Sequence, residues 1–260
     1  MKSLLNSPVL VFGLSFVTLW CSALVGGFIR KRFRPLHEDQ RKDFGVVQAA
    51  ALTLLGLLIG FAFSMAVNRY DQRRSMEEAE ANAIGTEYLR ADLLPTADAA
   101  RVRQWLIEYL DNRISFYDAL DEQPLQKINA TSTQLLDELW SVVQTRATAQ
   151  PTPIAALTVS GMNDVLDSEG LTQAAWWNRI PVAAWVLLAV IAVCCNLLIG
   201  YGAHQNNTFL FMIFPLAVAV SFFLIADIDS PRGGIIRVHP QNLTSLSQAL
   251  HARATTPTHD

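Results

Sequence analysis

Charge is missing from four stretches of this sequence, and that absence says most about it. Segments 9–29, 46–67, 182–201 and 209–226 contain no Asp, Glu, Lys or Arg. Each is about 18–22 residues long, which at about 1.5 Å per residue crosses a hydrocarbon core of about 30 Å. One such block could be the buried helix of a soluble protein. Four of them in 260 residues, with 51% hydrophobic composition, describe a polytopic membrane protein in a lipid bilayer. Cysteine is scarce as well. Cys21, Cys194 and Cys195 all lie within charge-free blocks, where they act as small apolar side chains and offer neither a disulfide framework nor a zinc site. The histidines (His37, His204, His239, His251 and His259) are scattered without the spacing of metal ligands. No Gly-rich nucleotide loop and no serine elbow is present. No ionisable residue stands at membrane depth, where an intramembrane enzyme would need one. The sequence therefore reads as a non-enzyme with no catalytic residues, no cofactor and no metal site. A net charge of -3 points to no nucleic-acid partner.

What is present divides the chain into four parts. Residues 1–68 hold a first pair of spans, 69–179 a polar region, 180–226 a second pair, and 227–260 a C-terminal segment with a loose tail. The first block is expected to be a retained span rather than a signal peptide, because it exceeds the usual apolar length and ends in Arg30, Lys31 and Arg32. The expected fold class is all-α, since no alternating strand pattern occurs. One helix should run from the second span through Asp71 to about Leu94, stopped by Pro95. Thr96 is the expected cap of the next, with Val102, Leu106, Tyr109, Ile114 or Arg113, Tyr117 and Leu120 at helical spacing. A third helix is predicted over 132–148 and a shorter piece over 154–166, opened by Pro151 and Pro153. Trp176 and Trp177 are expected at a membrane boundary. The carboxylate pairs Glu77/Glu78 and Asp121/Glu122 read as solvated faces.

Orientation is contested by the charges. The link between the first two spans carries Arg30, Lys31, Arg32, Arg34, Arg41 and Lys42; the opposite side carries Lys2, Arg69, Arg73, Arg74, Arg179, Arg232 and Arg237. The positive-inside tendency comes out near balance.

The second span holds the most specific pattern. Thr53, Leu57, Phe61, Ser64 and Asn68 recur at spacings of four, four, three and four, which places them in one stripe of a helix. A ring of such helices would form an apolar constriction with polar mouths, and constrictions of this kind gate conduction by dewetting. The alternative is ordinary helix packing through Gly56 and Gly60, a GxxxG pair.

Residues 60–74, GFAFSMAVNRYDQRR, resemble the second span of bestrophin-type anion channels, and 227–234, DIDSPRGG, resemble the segment after their last span. The chain is also similar to the bacterial bestrophin-like family of four-span proteins through LLGLLIGFAFS (54–64), RYDQRR (69–74), EANAIGTEYLR (80–90) and DIDSPRGG. The resemblance implies a homo-oligomeric ion channel, a pentamer passing anions such as chloride, in a bacterial inner membrane. The middle region and both termini would be cytoplasmic. Thr53, Leu57, Phe61, Ser64 and Asn68 would line the pore, with Leu57 and Phe61 as its neck. Arg69, Tyr70, Asp71, Arg73, Arg74, Asp227, Asp229 and Arg232 would form a vestibule or contacts between subunits. Asp227 and Asp229 would stand where such channels clasp calcium, although two carboxylates are a thin supply for that ion. The alternative function is a non-conducting scaffold or sensor that docks a cytoplasmic partner through the helix continuing from the second span.

Overall fold

The computed structural model describes residues 7–32, 38–203 and 210–255. Lys2, Arg34, His37, the 204–207 part of the last link, Phe209 and His259 lie outside the described residues. Among those described, eight α-helices and one 3-10 turn occur and no strand does: α1 (Pro8–Arg32), α2 (Glu38–Arg90), the turn Ala91–Leu93, α3 (Thr96–Asp118), α4 (Glu122–Ala149), α5 (Pro153–Trp177), α6 (Val182–Gly202), α7 (Leu210–Asp229) and α8 (Gln241–Thr255). Four apolar stretches within them are long enough to cross a bilayer. The chain separates into two compact units, Met1–Tyr70 with Arg179–Arg237, and Asp71–Asn178 with Val238–Asp260.

The first unit holds the spans. Leu19 of α1, Leu55, Ala62 and Ala66 of α2, Leu188, Ala192 and Cys195 of α6, and Phe222, Ile225 and Ala226 of α7 share one apolar core. Lipid is as apolar as these side chains, so close backbone approach and hydrogen bonds must hold the helices together. The closest approach is at α1 and α6. A side chain at Gly26 would collide with the Leu197 carbonyl, and one at Gly200 with the Ala23 carbonyl. Ser22 Oγ donates to the Val193 carbonyl across the same pair at 2.9 Å. The small-residue seam of this chain is therefore Ala23, Gly26 and Gly200, not Gly56 and Gly60, where an added Cβ would meet nothing within 4 Å.

The second unit is helical around a mixed core. Val102, Leu106, Tyr109, Leu110, Phe116 and Tyr117 form the buried face of α3. Arg113, not Ile114, holds the inward position of that face, and Leu120 is exposed beyond the end of the helix. Thr96 is the first residue of α3 rather than its cap; Pro95 precedes it and no side chain caps the helix. α4 starts ten residues earlier than the predicted 132, because Pro124 falls in its first turn, where a missing N–H costs nothing. α5 likewise extends to Trp177, well past 166, and the Thr152 hydroxyl accepts from Ala155 N at 3.1 Å to begin it. Trp176 is buried, with its ring centroid 5.0 Å from Phe116 and 5.4 Å from Tyr117. Trp177 is exposed. The tail is ordered over 241–255 as α8, whose Leu243 and Leu250 are buried.

Candidate functional site

α2 is continuous, as the absence of any breaker between Val46 and Arg90 predicts. In its first-unit portion, Leu55, Ala62 and Ala66 point into the span core. The opposite face carries the stripe. Thr53, Leu57, Phe61, Ser64 and Asn68 are all exposed, with Leu57 at 53% and Phe61 at 59%. The Thr53 hydroxyl is already engaged, donating to the Ala49 carbonyl at 2.9 Å.

The residues expected to form a vestibule divide in the structure. Asp71 and Arg74 are exposed. Arg69 is half-buried and donates from Nη1 to Met65 O of its own helix at 3.1 Å. Tyr70 is half-buried against the span core. Arg73 is buried, and its guanidinium donates to the carbonyls of Ala175 at 3.4 Å and Asn178 at 3.3 Å, at the C-terminus of α5. Cations belong there, because a helix ends in unpaired carbonyls and partial negative charge.

Asp227 and Asp229 are buried at the end of the last span and serve their own backbone. Asp227 accepts from Ile235 N at 2.7 Å and Ile236 N at 2.8 Å, folding the DIDSPRGG segment back on itself. Gly234 allows this, since a Cβ there would collide with the Asp227 carbonyl. Asp229 accepts from Ile180 N at 3.0 Å, with Arg179 Nε 4.0 Å from its other oxygen. Ser230 Oγ accepts from Gly233 N at 3.1 Å, and Arg232 is half-buried nearby in sequence. Calcium needs six or more oxygen ligands, and it would have to displace these donors. The residues present do not fit that ion, and among the described residues no group of three or more acidic, His or Cys side chains could hold a metal.

Sequence reasoning missed the buried ions of the second unit. Glu77, read as solvated with Glu78, is buried: it accepts from Asn242 N at 2.8 Å, Leu243 N at 2.9 Å and Asn242 Nδ2 at 2.7 Å, closing the start of α8. Glu78, one residue on, is exposed. Glu80 accepts from Arg113, Thr172 Oγ1 at 3.2 Å and Tyr117 OH at 3.5 Å, and both it and Arg113 are 0% exposed. Burial pushes the Glu80 carboxyl up and Arg113 opposes it. Burial works against the Arg113 charge, yet Glu80, Tyr109 and Glu169 together outweigh it and hold the guanidinium above its ordinary value. The signal was available. Arg73, Glu77, Glu80, Ile84, Glu87 and Ala91 recur at spacings of four, three, four, three and four, and all are buried.

One trio resembles catalytic chemistry on paper. Ser247, His251 and Asp111 lie within reach of one another across α8 and α3. But Asp111 takes the serine hydroxyl directly at 2.7 Å, while His251 Nδ1 lies 2.9 Å from the Ser247 carbonyl. The imidazole is thus turned to the backbone, and the trio ties α8 to α3.

Four spans with a charged helical unit between the second and third define a polytopic, all-α membrane protein. The chain belongs to the bestrophin-like family: the model of the bestrophin-like domain matches residues 16–243. Crystal structures of a bacterial bestrophin homologue from Klebsiella pneumoniae share the fold. One, a point variant, superposes with a TM-score of 0.64 at 14% identity, covering 95% of this chain and 99% of the other. Another, phased on zinc, gives 0.64 at 14% identity with 96% and 99% covered. A structure described as a membrane protein gives the same score and identity over 96% and 99%. Among curated proteins none matches the chain.

Proposed function

We propose that several copies of this chain surround an axis and conduct small ions, with Leu57 and Phe61 of each α2 as an apolar neck between the polar residues Thr53, Ser64 and Asn68. One observation carries the reading. A stripe of hydroxyl, aliphatic, aromatic, hydroxyl and amide side chains is exposed along a span whose other face is packed into the core. A lipid-facing stripe has no use for an asparagine, and Gly56 and Gly60 make no seam within the chain. A pentamer in a bacterial inner membrane, with the middle region and both termini in the cytoplasm, follows from the resemblance to bestrophins, as does an anion such as chloride.

A second reading of the ion has its own support. Beyond Asn68, the three- and four-residue spacing of α2 continues through Asp71, Ser75, Glu78, Asn82 and Thr86, all exposed. Asp71 and Glu78 are acidic and none of the five is Lys or Arg, which favours cations along that line. Purified protein in liposomes under a KCl gradient separates the two by the sign of the reversal potential. Phe61→Ala raises the conductance several-fold by widening and wetting the neck. Flux equal to that of empty liposomes, in wild type and variant alike, overturns conduction and leaves the scaffold reading.

A further inference from the structure

Glu87 is the one fully buried carboxylate among the described residues whose two oxygens both lack a hydrogen-bond partner. It stands near the end of α2 with its side chain against Gly161 of α5. The fit is close: a Cβ at Gly161 would run into Glu87 Oε2 and Arg90 Nη1, so the absence of a side chain there is what lets both head groups lie against α5. Arg90, three residues along α2, makes no hydrogen bond from Nη1 to Glu87. That nitrogen stands 3.7 Å from Asp164 Oδ2, on the exposed side of α5. Arg90 on its own helix and Asp164 on α5 are the charges that act on Glu87. The next acid along, Asp92 in the 3-10 turn, is taken by Arg103 of α3.

A carboxylate in such a place is tolerable only while protonated. A buried charge without a donor is costly, whereas a neutral carboxyl loses far less on burial. Burial accordingly pushes the Glu87 carboxyl up to about 8, with Arg90 opposing the rise and Asp164 adding to it. When the proton passes to solvent, the anion needs donors. The nearest is Arg90, which can leave Asp164 at little cost because that carboxylate is exposed to water. The guanidinium can present two N–H groups to Glu87 only by leaving Asp164, which breaks its tie from α2 to α5 and lets water in beside Gly161.

We propose that Glu87 is a proton-operated latch between α2 and α5: protonated, it closes against Gly161 while Arg90 holds Asp164; deprotonated, it draws Arg90 away and opens the seam to water. The latch belongs to the second unit and does not depend on whether the protein conducts.

Hydrogen exchange of the full-length protein in detergent, corrected for the intrinsic pH dependence of exchange, reads the seam directly. Peptides covering 85–94 and 153–165 should exchange about tenfold faster at pH 9 than at pH 6.5 in wild type, with a midpoint near 8. Glu87→Gln, neutral at every pH, should hold both peptides at the slow rate throughout. Asp164→Asn changes an exposed residue and so tests the idea even if Glu87→Gln fails to fold. It removes a like charge and frees Arg90, and should lower the midpoint by about one pH unit. A flat wild-type profile, a Glu87→Gln profile that titrates like wild type, or an Asp164→Asn midpoint that stays or rises overturns the proposal.

Discussion

Glu77 closes α8 from a helix far away in sequence, and its removal has a calculable effect. The first amides of a helix have no partner within it. Here Asn242 N and Leu243 N, the second and third amides of α8, both reach Glu77 Oε1, while Asn242 Nδ2 reaches Oε2. Losing a cap costs about 0.5–2 kcal/mol, and a hydrogen bond to a charged group is worth about 1.5–3 kcal/mol. These overlap, since one carboxylate serves all three donors, so Glu77→Ala should weaken the docking of α8 by about 3 kcal/mol. At 15 residues, α8 is marginal as an isolated helix, and it depends on that docking together with buried Leu243 and Leu250. Hydrogen exchange of a 241–255 peptide should therefore accelerate by about a hundredfold in Glu77→Ala, while a peptide within α4 keeps its wild-type rate. Glu77→Gln retains acceptors without the charge and should fall between. Unchanged protection of α8 in Glu77→Ala would refute the reasoning.

Arg113→Met leaves Glu80 buried without its cation and should destabilise the second unit by about 3–5 kcal/mol, read as a lower unfolding midpoint; adding Glu80→Gln should recover part of the loss. Gly26→Val should disrupt the α1–α6 crossing and lower the yield of folded protein. Gly56→Ala, which meets no atom within the chain, should leave a monomer's stability unchanged or raise it by up to about 1 kcal/mol, so any loss it shows reports contact between copies.

The spans and the unbroken α2 could be read in the sequence because both rest on long signals: charge-free runs and the lack of a breaker over 53 residues. The helix ends were harder. Pro124 occupies a first turn that spares its missing N–H, so α4 begins before the predicted 132, and Gly170 lies inside α5, which runs past the predicted 166. The stripe from Thr53 to Asn68 was legible as a period and is exposed as one face. The buried acids were harder to read, because a Glu in a polar stretch looks solvated until its spacing from other inward positions is counted. Glu77 and Glu78 are about 100° apart on one helix, and only their distance in steps from Arg73, Glu80 and Ile84 tells them apart.

Arg73 and Glu77 stand one turn apart on α2 and plug opposite kinds of socket: the guanidinium fills the carbonyl end of α5, the carboxylate the amide end of α8. Neither plug can be withdrawn alone by twisting the rod that bears them. A quarter-turn of that rod would unseat both together, so within the second unit α5 and α8 are ganged to one stretch of α2.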